Sequence, residues 1–209
     1  MFHMKKAIIT PVSGQINWSQ IPVISIDTLV KTKETDVKAT AQICYDTEAL
    51  YLHLTAVESE IRAVEEGPIG SPCRDSCLEF FFCPMEGDMR YFNIEFNPNT
   101  CQYLGIGSNV EDLTRLIPEE ESNNGTQFVF QPIANRTDDG WEIFYRVPYS
   151  FIRRFFPTFE ATPGKTMRAN FYKCADMTSK PHYIAWNPIT RKGRSVFHTP
   201  AEFGMVRFG

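Results

Sequence analysis

Two glutamates lie in the middle of phenylalanine-rich segments. Glu79 is the third residue of CLEFFFC (77–83), and Glu95 lies in YFNIEF (91–96). Because side chains alternate between the two faces of a strand, both carboxylates lie opposite the Leu, Phe and Ile side chains that predict the core. Carboxylates in such positions can accept hydrogen bonds from a ligand or serve as an acid and base pair. Both glutamates are therefore candidate functional residues.

The two segments are predicted to form a hairpin. If its turn centres near Gly87, antiparallel pairing sets Glu79 opposite Glu95 and Phe81 opposite Asn93. Directly opposed like charges destabilise a sheet by a few tenths to about 1 kcal/mol unless a cation, proton or ligand offsets them. A shift of one residue would separate the carboxylates, so this pairing is a hypothesis about register.

A third segment offers polar partners for this face. In TMRANFYKC (166–174), Arg168, Asn170 and Tyr172 alternate with Met, Ala and Phe. Arg, Asn and Glu beside aromatic rings provide planar donors and acceptors that suit sugar hydroxyls, while the rings suit the C–H face of a sugar. The alternative is an ordinary solvated face, although a solvated face commonly carries lysine and this one has none. Trp186 precedes a loop, where it either stacks on a ligand or caps the core.

The cysteines do not indicate a metal site by their spacing. Cys73 and Cys77 form a CxxxC motif, but no second ligand pair follows at a suitable distance. Others lie in apolar strand-like segments, where a reduced cysteine acts as a small hydrophobic residue. The six cysteines are Cys44, Cys73, Cys77, Cys83, Cys101 and Cys174.

The elements that must position these residues are strands. Short segments with a period of two, separated by Gly, Pro, Asn and Asp, predict an all-β fold. We expect one domain over residues 1–209, a sandwich of two antiparallel sheets of the jelly-roll or immunoglobulin-like kind, with one short helix at 148–156. The predicted strands are 37–45, 49–57, 77–83, 91–96, 127–133, 141–147, 166–174, 182–186 and 203–208.

Composition narrows the range of partners. A formal net charge of −4 gives no electrostatic reason to bind nucleic acid. The N-terminal segment contains only a short apolar stretch, so we expect neither a signal peptide nor a membrane partner. Cytoplasmic residence is the default expectation, and an extracellular one follows if a leader was removed.

The ordered set of motifs resembles the family 9 carbohydrate-binding modules and the related DOMON-like β-sandwiches. The residues that carry the resemblance are ICYDTEALYLHLTAVE, DSCLEFFFCP followed by YFNIEFNPN, DGWEIFYRVPYSFI, GKTMRANFYKCAD, and WNP with FHTPAEFG. They extend from about Thr40 to Gly204.

The resemblance implies a non-catalytic module that binds a mono- or oligosaccharide. It gives Glu79 the role of a ligand contact, aligns Arg168 and Asn170 with an R-x-N strand, and places Trp186 at a late tryptophan. Cys73 or Arg74 stands where sugar-binding members place a stacking aromatic. The predicted ligand-binding residues are Glu79, Asn93, Glu95, Arg168, Asn170 and Trp186. The resemblance allows a structural calcium ion, but no EF-hand-like loop locates one.

Two other functions remain open. Some DOMON-like domains hold haem, for which His53 and several methionines are candidates, although a single strand histidine is more often a neutral hydrogen-bonded residue. A glycan-processing enzyme could use Glu79 and Glu95 as acid and base. No phosphate loop, nucleophile elbow or HExxH motif supports another enzyme class, and no residue is assigned a catalytic role.

Overall fold

The computed structural model describes residues 4–67, 69–116, 130–193 and 195–209. Within these ranges the chain forms strands joined by turns, three short 3-10 segments and one short helix, α1 (Tyr149–Arg153). The strands are β1 (Lys6–Pro11), β2 (Ile24–Ile26), β3 (Thr28–Leu29), β4 (Lys38–Tyr45), β5 (Ala49–Val57), β6 (Cys77–Cys83), β7 (Tyr91–Phe96), β8 (Gln102–Gly107), β9 (Thr114–Arg115), β10 (Ile133–Arg136), β11 (Gly140–Pro148), β12 (Thr166–Ala175), β13 (His182–Ala185) and β14 (Gly204–Phe208).

The strands form two sheets that share β1. Sheet A has the order β14-β12-β6-β7-β8-β9, with β13 beside β12 and β3 beside β13. Sheet B has the order β10-β11-β5-β4, with β2 beside β4. The first four residues of β1 pair with β14 and its last two residues pair with β4. Both pairings of β1 are parallel, whereas the other strand pairs in the described ranges are antiparallel.

The predicted all-β sandwich is confirmed, with one difference in detail. The prediction of purely antiparallel sheets is modified by β1, because a strand that crosses between two sheets can run parallel to its neighbours in both. The predicted helix at 148–156 begins one residue later than expected because Pro148 is still paired with Ala49 in the sheet, and it ends earlier, at Arg153. Of the predicted strand at 127–133, residues 127–129 lie outside the described residues, and the observed strand begins at Ile133.

Aromatic side chains from sheet A fill much of the space between the sheets. The Phe80 ring stacks on Phe82 at 4.8 Å and on Phe171 at 4.9 Å between centroids. From sheet B, Trp141 is fully buried and Tyr145 packs on Phe96 of sheet A. Burial of apolar surface of this kind is the dominant favourable contribution to folding.

The other face of sheet A is covered by the segment that follows β13. Val196, Phe197 and Phe203 pack on side chains of β6, β7 and β12, forming a smaller apolar cluster, which we call the outer cluster. Phe197 stacks on Tyr172 with centroids 4.0 Å apart. This covering segment turns the central strands of sheet A into the floor of a pocket. None of the helices in the described ranges has the length and apolar character needed to cross a membrane.

Candidate functional site

The predicted register of the two glutamates is confirmed. In the β6–β7 pair, Glu79 lies opposite Glu95 and Phe81 lies opposite Asn93. On its other side Glu79 lies opposite Tyr172 of β12. The two glutamates are only 2% and 7% exposed, so the face that carries them is buried beside the outer cluster.

Both carboxylates line a pocket of about 310 Å³ at the edge of the outer cluster. This volume is at the small end of the range for small-molecule sites. Its walls come from the segment before β6, the ends of β12 and β13, and the covering segment. The remaining lining residues are Lys31, Cys73, Cys174, Asp176, Tyr183, Ser195, Val196, Phe197 and His198.

One oxygen of each glutamate accepts a hydrogen bond from the protein, whereas the second oxygen of Glu95 accepts none within the described ranges. The Cys174 thiol donates to Glu79 Oε1 at 2.9 Å, and Asn93 Nδ2 donates to Glu95 Oε1 at 2.9 Å. Among the described residues, Glu95 Oε2 and Asn93 Oδ1 are buried and accept no hydrogen bond. A buried acceptor without a partner costs about 1–3 kcal/mol, which a ligand donor can recover.

Both carboxyl groups have raised pKa values. Burial and the facing Glu95 carboxylate raise the pKa of Glu79 well above its usual value. Burial raises the pKa of Glu95 to about 7, against the hydrogen bond from Asn93 and the charge of Arg115, which lower it. A proton held between the pair therefore offsets the repulsion of the two opposed charges.

The buried lysine of β12 does not neutralise this pair, because it faces the opposite side of the sheet. Lys173 Nζ lies 3.0 Å from Glu58 Oε2 and 2.9 Å from His182 Nε2. Trp141 Nε1 donates to the other oxygen of Glu58 at 2.7 Å. These contacts hold the Lys173 ammonium group in the space between the sheets.

The covering segment is fixed above the pocket by two hydrogen bonds. Tyr172 donates from its hydroxyl to the carbonyl of Phe197 at 3.0 Å, and Tyr91 shares a hydrogen bond of 2.7 Å with His198 Nδ1. Burial, together with the charge of Arg191, lowers the pKa of His198 to about 4. His198 is therefore neutral near pH 7 and can remain in this bond.

Four of the six predicted ligand contacts do not line the pocket: Asn93, Arg168, Asn170 and Trp186. Asn93 lies behind the lining, where it donates to Glu95. Arg168 lies near Met4, with 3.9 Å from Nη2 to the sulfur. Asn170 accepts from the N–H of Phe171 and Asn187, and it donates to the Asn187 carbonyl at 3.1 Å. It therefore fastens β12 to the segment after β13.

Trp186 also lies away from the pocket. It is 4% exposed, belongs to the core between the sheets and contacts the Phe171 ring at 5.8 Å between centroids. Its ring covers Gly204, where an added Cβ would lie 2.7 Å from Cζ3 of the indole. In this position Trp186 caps the core, which was the second of its two expected roles.

The aromatic side chains that do line the pocket were not among the predicted contacts. Tyr183 is partly exposed, with Lys31 Nζ 5.7 Å from its ring centroid. Phe197 contributes from the covering segment. Tyr183 alternates with buried residues in β13 and so had a recognisable signal, whereas Phe197 lies in a loop without periodicity. Of the pair Cys73 and Arg74, Cys73 lines the pocket and Arg74 is exposed outside the lining.

The histidine required for the haem alternative is engaged elsewhere. His53 Nδ1 bonds to Gln42 Oε1 at 2.8 Å and Nε2 bonds to Glu142 Oε2 at 2.8 Å. Its ring also stacks on Phe144 at 4.0 Å between centroids. Both nitrogens would have to leave these partners before either could bind iron.

Comparison with known proteins connects this fold to a family. The model for carbohydrate-binding family 9 matches residues 10–208. The chain belongs to this family. Comparison with curated proteins gave no significant match.

Solved structures resemble this family 9 chain over almost its whole length. A candidate carbohydrate-binding protein from Bacteroides uniformis ATCC 8492 is 26% identical, with 99% of this chain and 100% of that chain covered and a TM-score of 0.82. A family 9 carbohydrate-binding module from Caldicellulosiruptor kristjanssonii in complex with glucose is 14% identical, with 98% and 96% covered and a TM-score of 0.69. The cellotriose complex of a module from that organism has the same identity and TM-score, with 98% and 93% covered. At 14% identity the likeness concerns the fold.

Proposed function

We propose that this protein binds a monosaccharide, or the terminal unit of an oligosaccharide, in the pocket beside Glu79 and Glu95, without catalysing a reaction. Family membership supports the ligand class. The observation that carries the location is Glu95 Oε2, a buried oxygen on the pocket lining that accepts no hydrogen bond within the described residues. Such an atom is stabilised by a donor from a ligand.

The lining provides the two kinds of contact that sugars use. Glu95 and Asp176 offer carboxyl oxygens to hydroxyl groups, and the protonated Glu79 offers both a donor and an acceptor. Tyr183 and Phe197 present apolar ring surface for the C–H groups of a pyranose. In this proposal Asn93 acts indirectly, by holding Glu95 Oε1, while Arg168, Asn170 and Trp186 support the fold around the site.

Isothermal titration calorimetry with glucose, cellotriose and a panel of other mono- and oligosaccharides tests the proposal. We expect at least one sugar to bind the wild type and Glu95→Gln to weaken that binding 10- to 100-fold, because hydrogen bonds to a charged partner contribute about 1.5–3 kcal/mol. Tyr183→Ala should weaken binding about 10-fold, whereas Tyr183→Phe, which keeps the ring, should change it less.

Glu48→Gln is the matched control, since Glu48 is an exposed carboxylate in the β4–β5 turn, outside the pocket lining. Its affinity should equal that of the wild type. The proposal is wrong if no sugar of the panel gives a binding signal with the wild type, or if Glu95→Gln and Tyr183→Ala bind as tightly as Glu48→Gln.

Glycoside hydrolysis is a second candidate, favoured by the raised pKa values of two carboxyl groups in one pocket. An acid and base pair would release nitrophenol from nitrophenyl glycosides, and that release would fall by several orders of magnitude in Glu79→Gln and in Glu95→Gln. Sugar binding without release of nitrophenol, or release that both variants retain, excludes this candidate.

A further inference from the structure

Two thiols that are far apart in the sequence meet at the floor of the pocket. Cys77 begins β6 and Cys174 lies near the end of β12, and the two residues are directly paired across these strands. Their side chains share the face that carries Glu79. Cys77 of the CxxxC motif thus lies beside a second thiol that the linear spacing does not reveal.

The three side chains bring suitable atoms close enough for one cation. One ligand atom from each of Cys77, Glu79 and Cys174 lies within 4.8 Å of the other two. Cys174 Sγ and Glu79 Oε1 are 2.9 Å apart. Zinc binds sulfur at about 2.3 Å and carboxylate oxygen at about 2.0–2.2 Å, so its ligand atoms lie roughly 3.5 Å apart in a tetrahedral site. Small adjustments of side-chain torsions would accommodate an ion.

The three side chains are reached from solvent through the pocket, and a buried carboxylate oxygen without a hydrogen-bond partner in the described part of the chain lies beside them. Glu79 and Cys174 line the pocket, which gives an ion a path from solvent, while Cys77 lies behind them and is fully buried. Next to Glu79 lies Glu95, whose Oε2 has no hydrogen-bond partner among the described residues. A cation near this group would offset the two opposed carboxylates that the register brings together.

We propose that Cys77, Glu79 and Cys174 bind a thiolate-preferring divalent cation such as Zn²⁺, with the fourth coordination position open to the pocket. On binding, each thiol forms a sulfur–metal bond and its proton passes to solvent, as does any proton on Glu79. Two thiolates and one carboxylate form a donor set that suits zinc rather than calcium or magnesium, which prefer oxygen ligands. The inference does not depend on sugar binding.

Cobalt substitution tests the site spectroscopically. CoCl₂ titrated into the reduced, metal-free wild type should produce thiolate-to-cobalt charge-transfer absorption that saturates at one equivalent and disappears when ZnCl₂ is added. Cys174→Ala should weaken cobalt and zinc binding at least 100-fold, and Glu79→Gln at least 10-fold. Cys44→Ala is the matched control, since Cys44 is equally buried but lies in sheet B, and it should bind both metals like the wild type.

The wild-type spectrum keeps the test decisive even if Cys174→Ala fails to fold. Absence of the charge-transfer band in fully reduced wild type, or a band that persists at the same affinity in Glu79→Gln and in a folded Cys174→Ala, would overturn the proposal. Cobalt binding without thiolate absorption would also overturn it, because it would place the metal on oxygen or nitrogen ligands elsewhere.

Discussion

At the scale of single residues, the opposed glutamates decide how the pocket behaves. Two charged carboxylates on neighbouring strands would repel each other in a buried setting, and Lys173, the buried lysine of β12, pairs with Glu58 instead. The hydrogen bonds from Cys174 and Asn93 favour the charged forms, yet burial outweighs them, so the pKa values rise. The pair is therefore a site that holds a proton near neutral pH and that could exchange it for another positive partner.

Replacement of Glu95 should change how stability depends on pH. The pKa of Glu95 is about 7 in the folded protein and near 4.5 in the unfolded chain. Between these values only the native state holds the proton, so the wild type loses stability as pH rises from 4.5 to 7. Glu95→Gln does not titrate, and it also removes the charge that raises the pKa of Glu79.

We therefore expect the unfolding free energy of Glu95→Gln, relative to wild type, to increase by about 3 kcal/mol over this pH window. Urea unfolding of metal-free protein at pH 4.5, 6 and 8 measures the difference, with Glu48→Gln as the exposed control that should show no comparable trend. A difference that is constant with pH, or that decreases as pH rises, contradicts the assigned pKa.

At the scale of elements, β12 is the strand that links the core to the pocket. Its Met167, Ala169 and Phe171 face the space between the sheets, while Tyr172 and Cys174 belong to the outer cluster. Asn170 lies between these roles, because its amide bonds to the backbone of Asn187 and so fixes the segment that leads into the pocket cover.

Asn170→Ala should destabilise the protein by about 2–4 kcal/mol, because it leaves the N–H and carbonyl of Asn187 buried without these partners. Asn135→Ala is the matched control: that amide is exposed on β10 and contacts Glu142, so its removal should cost less than about 0.5 kcal/mol. Urea midpoints of the two variants measure the effect. Equal midpoints would show that Asn170 does not fasten the two segments.

The elements that could be predicted from the sequence are those with a strong period of two. The strands β5, β6 and β7 have the predicted bounds, since each alternates over six or more residues. The strands β2, β3 and β9 have only two or three residues and so carry no period. The strand β8 was missed because its two glycines weaken the pattern, and β1 because it ends at Pro11.

The pocket was predictable only in part for a related reason. Alternation and hairpin pairing are local, so Glu79, Asn93 and Glu95 could be placed on one face from the sequence. The covering segment with Phe197 is a loop, and the pairing of β6 with β12 joins distant parts of the chain. Periodicity predicts neither the position of this loop nor the pairing of these two strands. The sequence therefore does not identify Cys174, Tyr183 and Phe197 as lining residues, and it does not distinguish the two expected roles of Trp186.

At the scale of the whole molecule, the two sheets depend on each other through β1. This strand pairs with β14 in sheet A and with β4 in sheet B, and its Ile9 is fully buried in the core between them. The C-terminal carbonyl of Gly209 also accepts a hydrogen bond from Tyr45 of sheet B at 2.7 Å. Both ends of the chain thus connect the layers, which supports the expectation that residues 1–209 unfold as one domain.

Removal of the Ile9 side chain beyond Cβ tests this dependence. Ile9→Ala should lower the unfolding free energy by about 3 kcal/mol, because buried Ile→Ala changes lose apolar burial and leave a cavity. Tryptophan fluorescence reports Trp141 in sheet B, Trp18 packed on sheet B, and Trp186 beside sheet A. If β1 unites the sheets, the fluorescence transition should shift by the same amount as the far-ultraviolet circular dichroism transition. Ile8→Ala is the control, since the neighbouring Ile8 is 49% exposed and its loss should cost less than about 0.5 kcal/mol. Two separate transitions in the wild type or in Ile9→Ala would mean that the sheets unfold independently and that β1 does not couple them.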